Sequence, residues 1–293
     1  MFDASHGQDP KTVYRQNIES VKLAESGGFS TLWLTEHHGK SNRLCPSIPL
    51  MMSYLAGHTK LELGAATILL SHYKPRHIAE KIGMLTHMYP NRFAFGFARG
   101  GNGEVELHDN GDEYAARKAM IEHLDELRTL MDLKSESFPT PSYKPPMFIA
   151  SKDDSAIRYA AKHGMGIMAG QKWTLDELKD TIERYKIHRK DGKKPEVLLS
   201  RYLLIAKTDD EAVQKVIQDT AKRKAKNNKP TQDSKNPLRI SVLEDESPVG
   251  SFKKAEKLFR LYREIGVDRL ALRQATFDVN ETMASIAKAS LLI

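Results

Sequence analysis

The stretch Leu61–Gly101 reads LELGAATILLSHYKPRHIAEKIGMLTHMYPNRFAFGFARGG. Its first ten residues, Leu61 to Leu70, form a short apolar run bounded by polar residues, which predicts a buried strand. Pro75 suits a first helical turn, where its missing N–H costs nothing, and the helical period that follows predicts a helix over Pro75–Met88. Arg92 to Phe97 then supplies a second apolar strand. Strand, helix and strand in this order form the repeating unit of a parallel sheet with helical crossovers.

The same alternation continues in both directions. Further strands are predicted over Thr31–Thr35, Met147–Ala150, Gly166–Ala169, Val197–Ala206 and Arg269–Leu272, and further helices over Pro10–Ser26, Glu113–Leu133, Ser155–His163, Leu175–His188, Asp209–Lys222 and Phe252–Ile265. Met120, Leu124, Leu127 and Met131 keep one helical face, as do Phe252, Ala255, Phe259 and Tyr262. Thr174 with Glu177 three residues on, and Ser251, stand where helix caps belong. The fold class is therefore α/β, and a (β/α)8 TIM barrel in one domain over residues 1–293 is the expectation. Its first strand has only MFDAS available, so it is abbreviated or the natural chain begins upstream of Met1.

With 293 residues, 40% of them apolar, the chain can build a substantial core. A formal charge of +7 invites a nucleic-acid or membrane partner, but the excess is concentrated in KRKAKNNKPTQDSK, Lys222 to Lys235. That polar, proline-marked segment is expected to be part of a mobile basic loop of about residues 222–250, with neither nucleic acid nor membrane as partner. The single Cys45 allows no internal disulfide, and no apolar run suits a signal or a membrane span, so a cytoplasmic protein is expected.

In parallel β/α folds, ligands sit at the carboxyl ends of the strands. Three strand ends carry chemistry. The first is Glu36, His37 and His38, where an imidazole can move a proton near neutral pH. Adjacent residues leaving a strand point to opposite sides, so the two histidines are not expected to share one task. Acid–base catalysis, a rim hydrogen bond and a metal site built on all three remain open, although no later strand end is expected to supply another histidine. The second is Arg99 with Gly100 and Gly101, where a guanidinium can grip an anion and glycine lets a backbone approach a ligand. Pairing of Arg99 with an acid such as Glu36 is the alternative. The third is Ser151, Lys152, Asp153, Asp154 and Ser155 at a helix start, which suits either an anion or ordinary capping by the aspartates.

Taken together, GGFSTLWLTEHHG (27–39), the 61–101 stretch, KTDDEAV (207–213) and ESPVGSFKKAEKLFRLYREIGVDRLAL (246–272) resemble the bacterial luciferase-like flavin monooxygenases. The likeness runs along nearly the whole chain and is densest between Gly28 and Gly101. It implies a β/α barrel that binds reduced FMN at the strand ends and uses O2 to oxidise a small apolar or carbonyl-containing substrate. It also implies a separate flavin reductase and a homodimer. By position it makes His37 the acid/base, with Glu36 and His38 orienting it, and Arg99 and Gly100 flavin contacts. Ser151, Lys152, Asp153 and Ser155 become the phosphate loop, and Ala66–Thr67 a non-proline cis peptide beneath the flavin ring. No metal is implied. Ala98 stands where luciferase itself carries cysteine, so oxidation rather than light emission is the implied activity. A non-catalytic FMN-binding protein and a deazaflavin-dependent oxidoreductase of the same fold are the alternatives.

Overall fold

The computed structural model describes residues 9–38, 43–100, 112–132, 139–227, 245–276 and 278–292. The chain groups into two compact units, Met1–Gly166 and Ile167–Ile293. The expected first strand in MFDAS lies outside the described residues.

Unit 1 carries four parallel strands, each followed by a helix. Helix α1 is Pro10–Ser26, β1 Thr31–Leu34, α2 Ile48–Ala56, β2 Glu62–Leu69, α3 Pro75–Met88, β3 Phe93–Ala98, α4 Glu113–Asp132, β4 Met147–Ile149 and α5 Asp154–His163. A single 3-10 turn, Leu70–His72, joins β2 to α3. Strand pairing runs β1–β2–β3–β4, with Leu34 beside Ala65, Ala65 beside Phe95 and Phe95 beside Met147. Strand β3 reads FAFGFA and is buried at every position but its last, as a parallel strand covered on both faces should be. Gly64 on β2 lies against the indole of Trp33 on β1, and a Cβ there would overlap that ring. Trp33 in turn meets Phe148 of β4 edge to face at 5.8 Å.

Helix α2 was not expected from the sequence. IPLMMSYLA has almost no polar face to reveal a helical period, and Leu50 and Tyr54 stay exposed while Ile48, Met52 and Leu55 are buried. On α4 the predicted face holds at Met120, Leu124 and Leu127, which are buried with Leu130.

Unit 2 is built around the ten-residue strand β6, Val197–Ala206. Strand β5 (Gly166–Ala169) pairs with its start, β8 (Arg269–Gln274) with its middle and β7 (Val249–Ser251) with its end, all parallel. Helices α6 (Leu175–His188), α7 (Asp209–Asn227), α8 (Phe252–Ile265) and α9 (Val279–Ala289) complete the unit. The caps read from sequence are present. Thr174 and Glu177 form a reciprocal capping box on α6, and Ser251 accepts from the Lys254 amide on α8. On α8 the buried face is Ala255, Leu258, Phe259 and Tyr262, whereas Phe252 is exposed at the first turn.

The segment expected as a loop over about 222–250 carries regular structure at both of its described ends. Helix α7 continues through Asn227, and β7 begins at Val249. Residues 228–244 lie outside the described residues. Strand β7, at three residues, is too short to stand out in sequence, and α9 follows a strand end that gave no clear stop signal. Among the described residues no helix is long and apolar enough to cross a membrane.

Buried Arg201 on β6 shows how unit 2 accommodates an internal charge. Nε donates to the Glu246 carbonyl at 2.9 Å, Nη1 to the Ser200 and Gly170 carbonyls at 3.1 and 3.3 Å, and Nη2 to the Trp173 carbonyl at 2.8 Å. The Glu246 carboxylate lies 3.6 Å from Nη2. Burial lowers the Arg201 pKa, against the pull of Tyr262 and Glu246.

Candidate functional site

All the site residues read from sequence fall in unit 1, and the first group leaves β1. Glu36 is buried, and His37 and His38 are half-buried. The His37 amide donates to the Cys45 carbonyl at 3.0 Å, which fixes the returning chain beside the strand exit. Arg43 on that returning segment places Nη1 2.9 Å from His37 Nε2. A guanidinium can only donate, so Nε2 is the acceptor in this contact and the ring proton sits on Nδ1.

His38 takes a different partner. Its Nε2 lies 2.7 Å from Glu36 Oε1, and the Tyr73 hydroxyl donates to the same oxygen at 3.1 Å. The adjacent histidines thus do separate jobs, as their position at a strand exit predicts. Glu36 Oε2 is buried and has no hydrogen-bond partner among the described residues. Burial pushes the Glu36 carboxyl up, against the pull of His38 and Tyr73. Burial, and then the nearby Glu36, also raises the Tyr73 phenol and pushes the Cys45 thiol up to about 12, so both remain protonated at neutral pH.

His72, the last residue of the 3-10 turn after β2, meets the His38 ring edge-on at 5.0 Å. Ligand-type atoms of Glu36, His38 and His72 lie within 4.8 Å of one another. This corrects two sequence expectations. A second strand end does supply a histidine, and the trio that gathers contains His72 where the sequence reading had His37.

The second group lies at the end of β3. Arg99 Nη2 donates to Glu113 Oε2 at 2.9 Å, so the acid that pairs with it is Glu113 at the start of α4 and not Glu36. Arg99 Nη1 is buried and has no hydrogen-bond partner among the described residues. The Arg99 carbonyl accepts from Ser71 Oγ at 3.2 Å, which ties β3's exit to the turn that carries His72. Gly100 has φ +99°, a left-handed conformation that favours glycine, and Gly101 lies outside the described residues. On the neighbouring strand β2 the Ala66–Thr67 peptide is cis, between the register positions Ala65 and Ile68 where the pairing with β3 shifts.

The third group opens α5. Asp153 is the N-cap: Oδ1 accepts from the Ser155 amide at 3.0 Å and also bonds the Ser155 hydroxyl. Ser151 Oγ accepts from the Asp153 amide at 3.2 Å. Arg117 of α4 pairs with Asp153 Oδ2 at 3.0 Å, and Asp154 pairs with Arg158 at 2.8 Å. Lys152 is exposed. Burial raises the Asp153 pKa, yet the Ser155 bonds and Arg117 outweigh it and hold this carboxyl below the usual range. The local geometry expresses the capping reading for Asp153, with Arg117 as the cation that compensates, whereas Asp154 is the first helical residue and pairs with Arg158.

A family model described as "Luciferase-like monooxygenase" matches residues 1–287. The chain belongs to the luciferase-like monooxygenase family. Among curated relatives, the oxygenase component of the flavin-dependent trigonelline monooxygenase of Acinetobacter baylyi is 25% identical over 236 residues, covering 72% of this chain and 65% of that protein. The match thus spans just under two thirds of that relative's length. Among solved structures, the oxygenating constituent of 3,6-diketocamphane monooxygenase from Pseudomonas putida, in complex with FMN, superposes with a TM-score of 0.74 at 18% identity, covering 97% of this chain and 93% of that one. An F420-dependent secondary alcohol dehydrogenase gives a TM-score of 0.73 at 16% identity, covering 96% and 94%. The fold is accordingly the α/β barrel class of the luciferase-like family, as the strand–helix alternation predicted.

Five residues of this candidate site were not singled out from sequence: Arg43, His72, Tyr73, Glu113 and Arg117. His72 and Tyr73 had a signal, since they stand two and three residues after a predicted strand. The others are brought in by loops and helices, and only tertiary contact reveals their partners.

Proposed function

We propose that this chain is the oxygenase of a flavin-dependent monooxygenase that uses reduced FMN and O2 to oxidise a small apolar or carbonyl-containing organic substrate. Reduced FMN, when bound, supplies the two electrons with which one oxygen atom goes to substrate and the other leaves as water. The observation that carries this reading is Arg99 Nη1, a buried donor with no acceptor among the described residues, on the β3 end that Ser71 ties to the turn carrying His72. A buried guanidinium N–H without an acceptor is costly, and a flavin ring edge offers the acceptors it lacks.

Around that donor each residue has a distinct task. Gly100 lets the backbone approach the flavin, and Ala66 and Thr67 form the surface beneath the ring. His37 holds a proton on Nδ1 because Arg43 occupies Nε2, which makes it the acid/base for the oxygen chemistry. Glu36 and His38 hold each other and define the wall beside it. Ser151, Lys152 and Ser155 meet the phosphate end, where Arg117 offsets the charge of Asp153. A separate reductase supplies the reduced flavin, and two chains pair as a homodimer.

Titrating the purified protein with FMN and with photoreduced FMN, and following absorbance and oxygen uptake with candidate substrates, tests the proposal. Turnover above the free-flavin rate that is lost in His37→Ala is the expected result. Turnover unchanged in His37→Ala would remove the role given to that residue, and FMN binding without added oxygen uptake would leave a flavin carrier. The likeness to an F420-dependent dehydrogenase favours one other reading, a deazaflavin oxidoreductase. That reading predicts F420 binding and hydride transfer with no oxygen consumed.

A further inference from the structure

We propose that Glu36, His38 and His72 form a binding site for a borderline divalent transition-metal ion such as Zn2+, whose occupancy competes with the hydrogen-bond network at the β1 exit. Two histidines and one glutamate are a donor set that Zn2+ accepts, with a fourth position left for water. The three ligand-type atoms already lie within 4.8 Å of one another. Tetrahedral bonds of about 2.0–2.2 Å place ligands about 3.3–3.6 Å apart, so side-chain adjustment of about 1–1.5 Å closes the set.

The independent observation is the state of Glu36. Its side chain is 0% exposed, and Oε2 makes no hydrogen bond among the described residues, while Oε1 takes both His38 and Tyr73. A buried carboxylate oxygen without a donor is unfavourable, and a cation removes that cost. The Tyr73 hydroxyl on Oε1 then acts as the outer partner that orients a ligating carboxylate. Access is available as well. His72 and Tyr73 line a cavity of about 720 Å3 together with Ser71 and His123, and although both His72 ring nitrogens are buried, a rotation of that ring toward the cavity admits an ion and a water without unfolding. Lys74 and Arg76 also line this cavity and oppose a cation, so the affinity is expected to be moderate and to strengthen with added salt.

Bound metal holds Glu36 and His38 in place of the contact they now share. The inference stands on these side chains alone and does not depend on the flavin reading. Chelator-stripped protein is titrated with ZnCl2 by calorimetry, with metal content measured after gel filtration and Co2+ used as a spectroscopic probe. One ion per chain is expected, with visible Co2+ absorption of tetrahedral type, and His72→Ala weakens Zn2+ binding at least about tenfold. Circular dichroism checks that His72→Ala is folded. In the unmodified chain, Zn2+ is also expected to protect the partly exposed His38 from diethylpyrocarbonate, read by mass spectrometry. No stoichiometric binding, the same affinity in His72→Ala, or no protection at His38 would each overturn the proposal. FMN titration of the same samples is a separate readout, so failure of one inference is not failure of the other.

Discussion

Two guanidinium groups in this molecule, Arg201 wholly buried and Arg99 half-buried with Nη1 shut off from solvent, have opposite fates. Arg201 on β6 gives its donors to four main-chain carbonyls and lies near the Glu246 carboxylate. Arg99 at the end of β3 pairs through Nη2 with Glu113 and leaves Nη1 buried without an acceptor among the described residues. Both follow from a charge placed in or beside a parallel strand. The difference lies in what surrounds them. The first is enclosed by chain that returns its carbonyls to it; the second opens on a strand exit. A satisfied buried charge holds a fold together, whereas an unsatisfied one at a strand end is a place for a ligand.

The contrast breaks most visibly through Arg201. Arg201→Met strands the carbonyls it now satisfies, so the variant should lose about 3–5 kcal/mol of stability in urea unfolding. Arg99→Ala should behave in the opposite way, changing stability by less than about 1 kcal/mol because its pair with Glu113 is partly exposed. Its cost should appear in FMN binding, weakened by about 1.4–2.8 kcal/mol, or about ten- to a hundredfold, in a fluorescence titration. If Arg99→Ala unfolds as readily as Arg201→Met, the distinction fails.

The same comparison applies to acceptors, where Glu36 has an unpartnered oxygen and Asp153 has none. Tyr73→Phe removes one of the two side-chain donors on Glu36 and should cost about 1–2 kcal/mol, measured by thermal or urea unfolding. An unchanged midpoint would mean that His38 alone satisfies the carboxylate. Asp153→Ala should cost about 1 kcal/mol as the loss of an N-cap. The folded Asp153 pKa lies below its usual value, so this contribution is present at neutral pH. It disappears as pH falls through the folded pKa, which lies below the ordinary carboxylate value, so the difference between wild type and variant should close only in acid.

Most of the architecture was legible because parallel strands and crossover helices differ in period and length. The β3 run and the α4 face read directly, and the Thr174–Glu177 cap marked the start of α6 to the residue. Helix α2 escaped because an apolar helix without a polar face has no period to detect, and β7 because three residues carry no alternation. At the site, the sequence displayed Glu36, His37 and His38 but not which would pair with which. Arg43 took His37, and Glu36 took His38 together with Tyr73, which follows a different strand. Likewise, Glu113 and Arg117 looked like ordinary first-turn and surface charges of α4 until the fold brought them to Arg99 and Asp153. Partner choice is a property of strand adjacency, and adjacency is written in no single segment.

Trp33, whose indole lies over Gly64, has a practical consequence. The chain holds two tryptophans, and the other, Trp173, carries a carbonyl that binds Arg201 in unit 2. Each compact unit therefore contains its own intrinsic fluorophore. Trp173→Phe leaves an emission signal that reports unit 1 alone, and Trp33→Phe one that reports unit 2. The cooperativity of the two halves can thus be measured from light alone: coincident melting curves for the two variants mean one folding unit, and separated curves mean two.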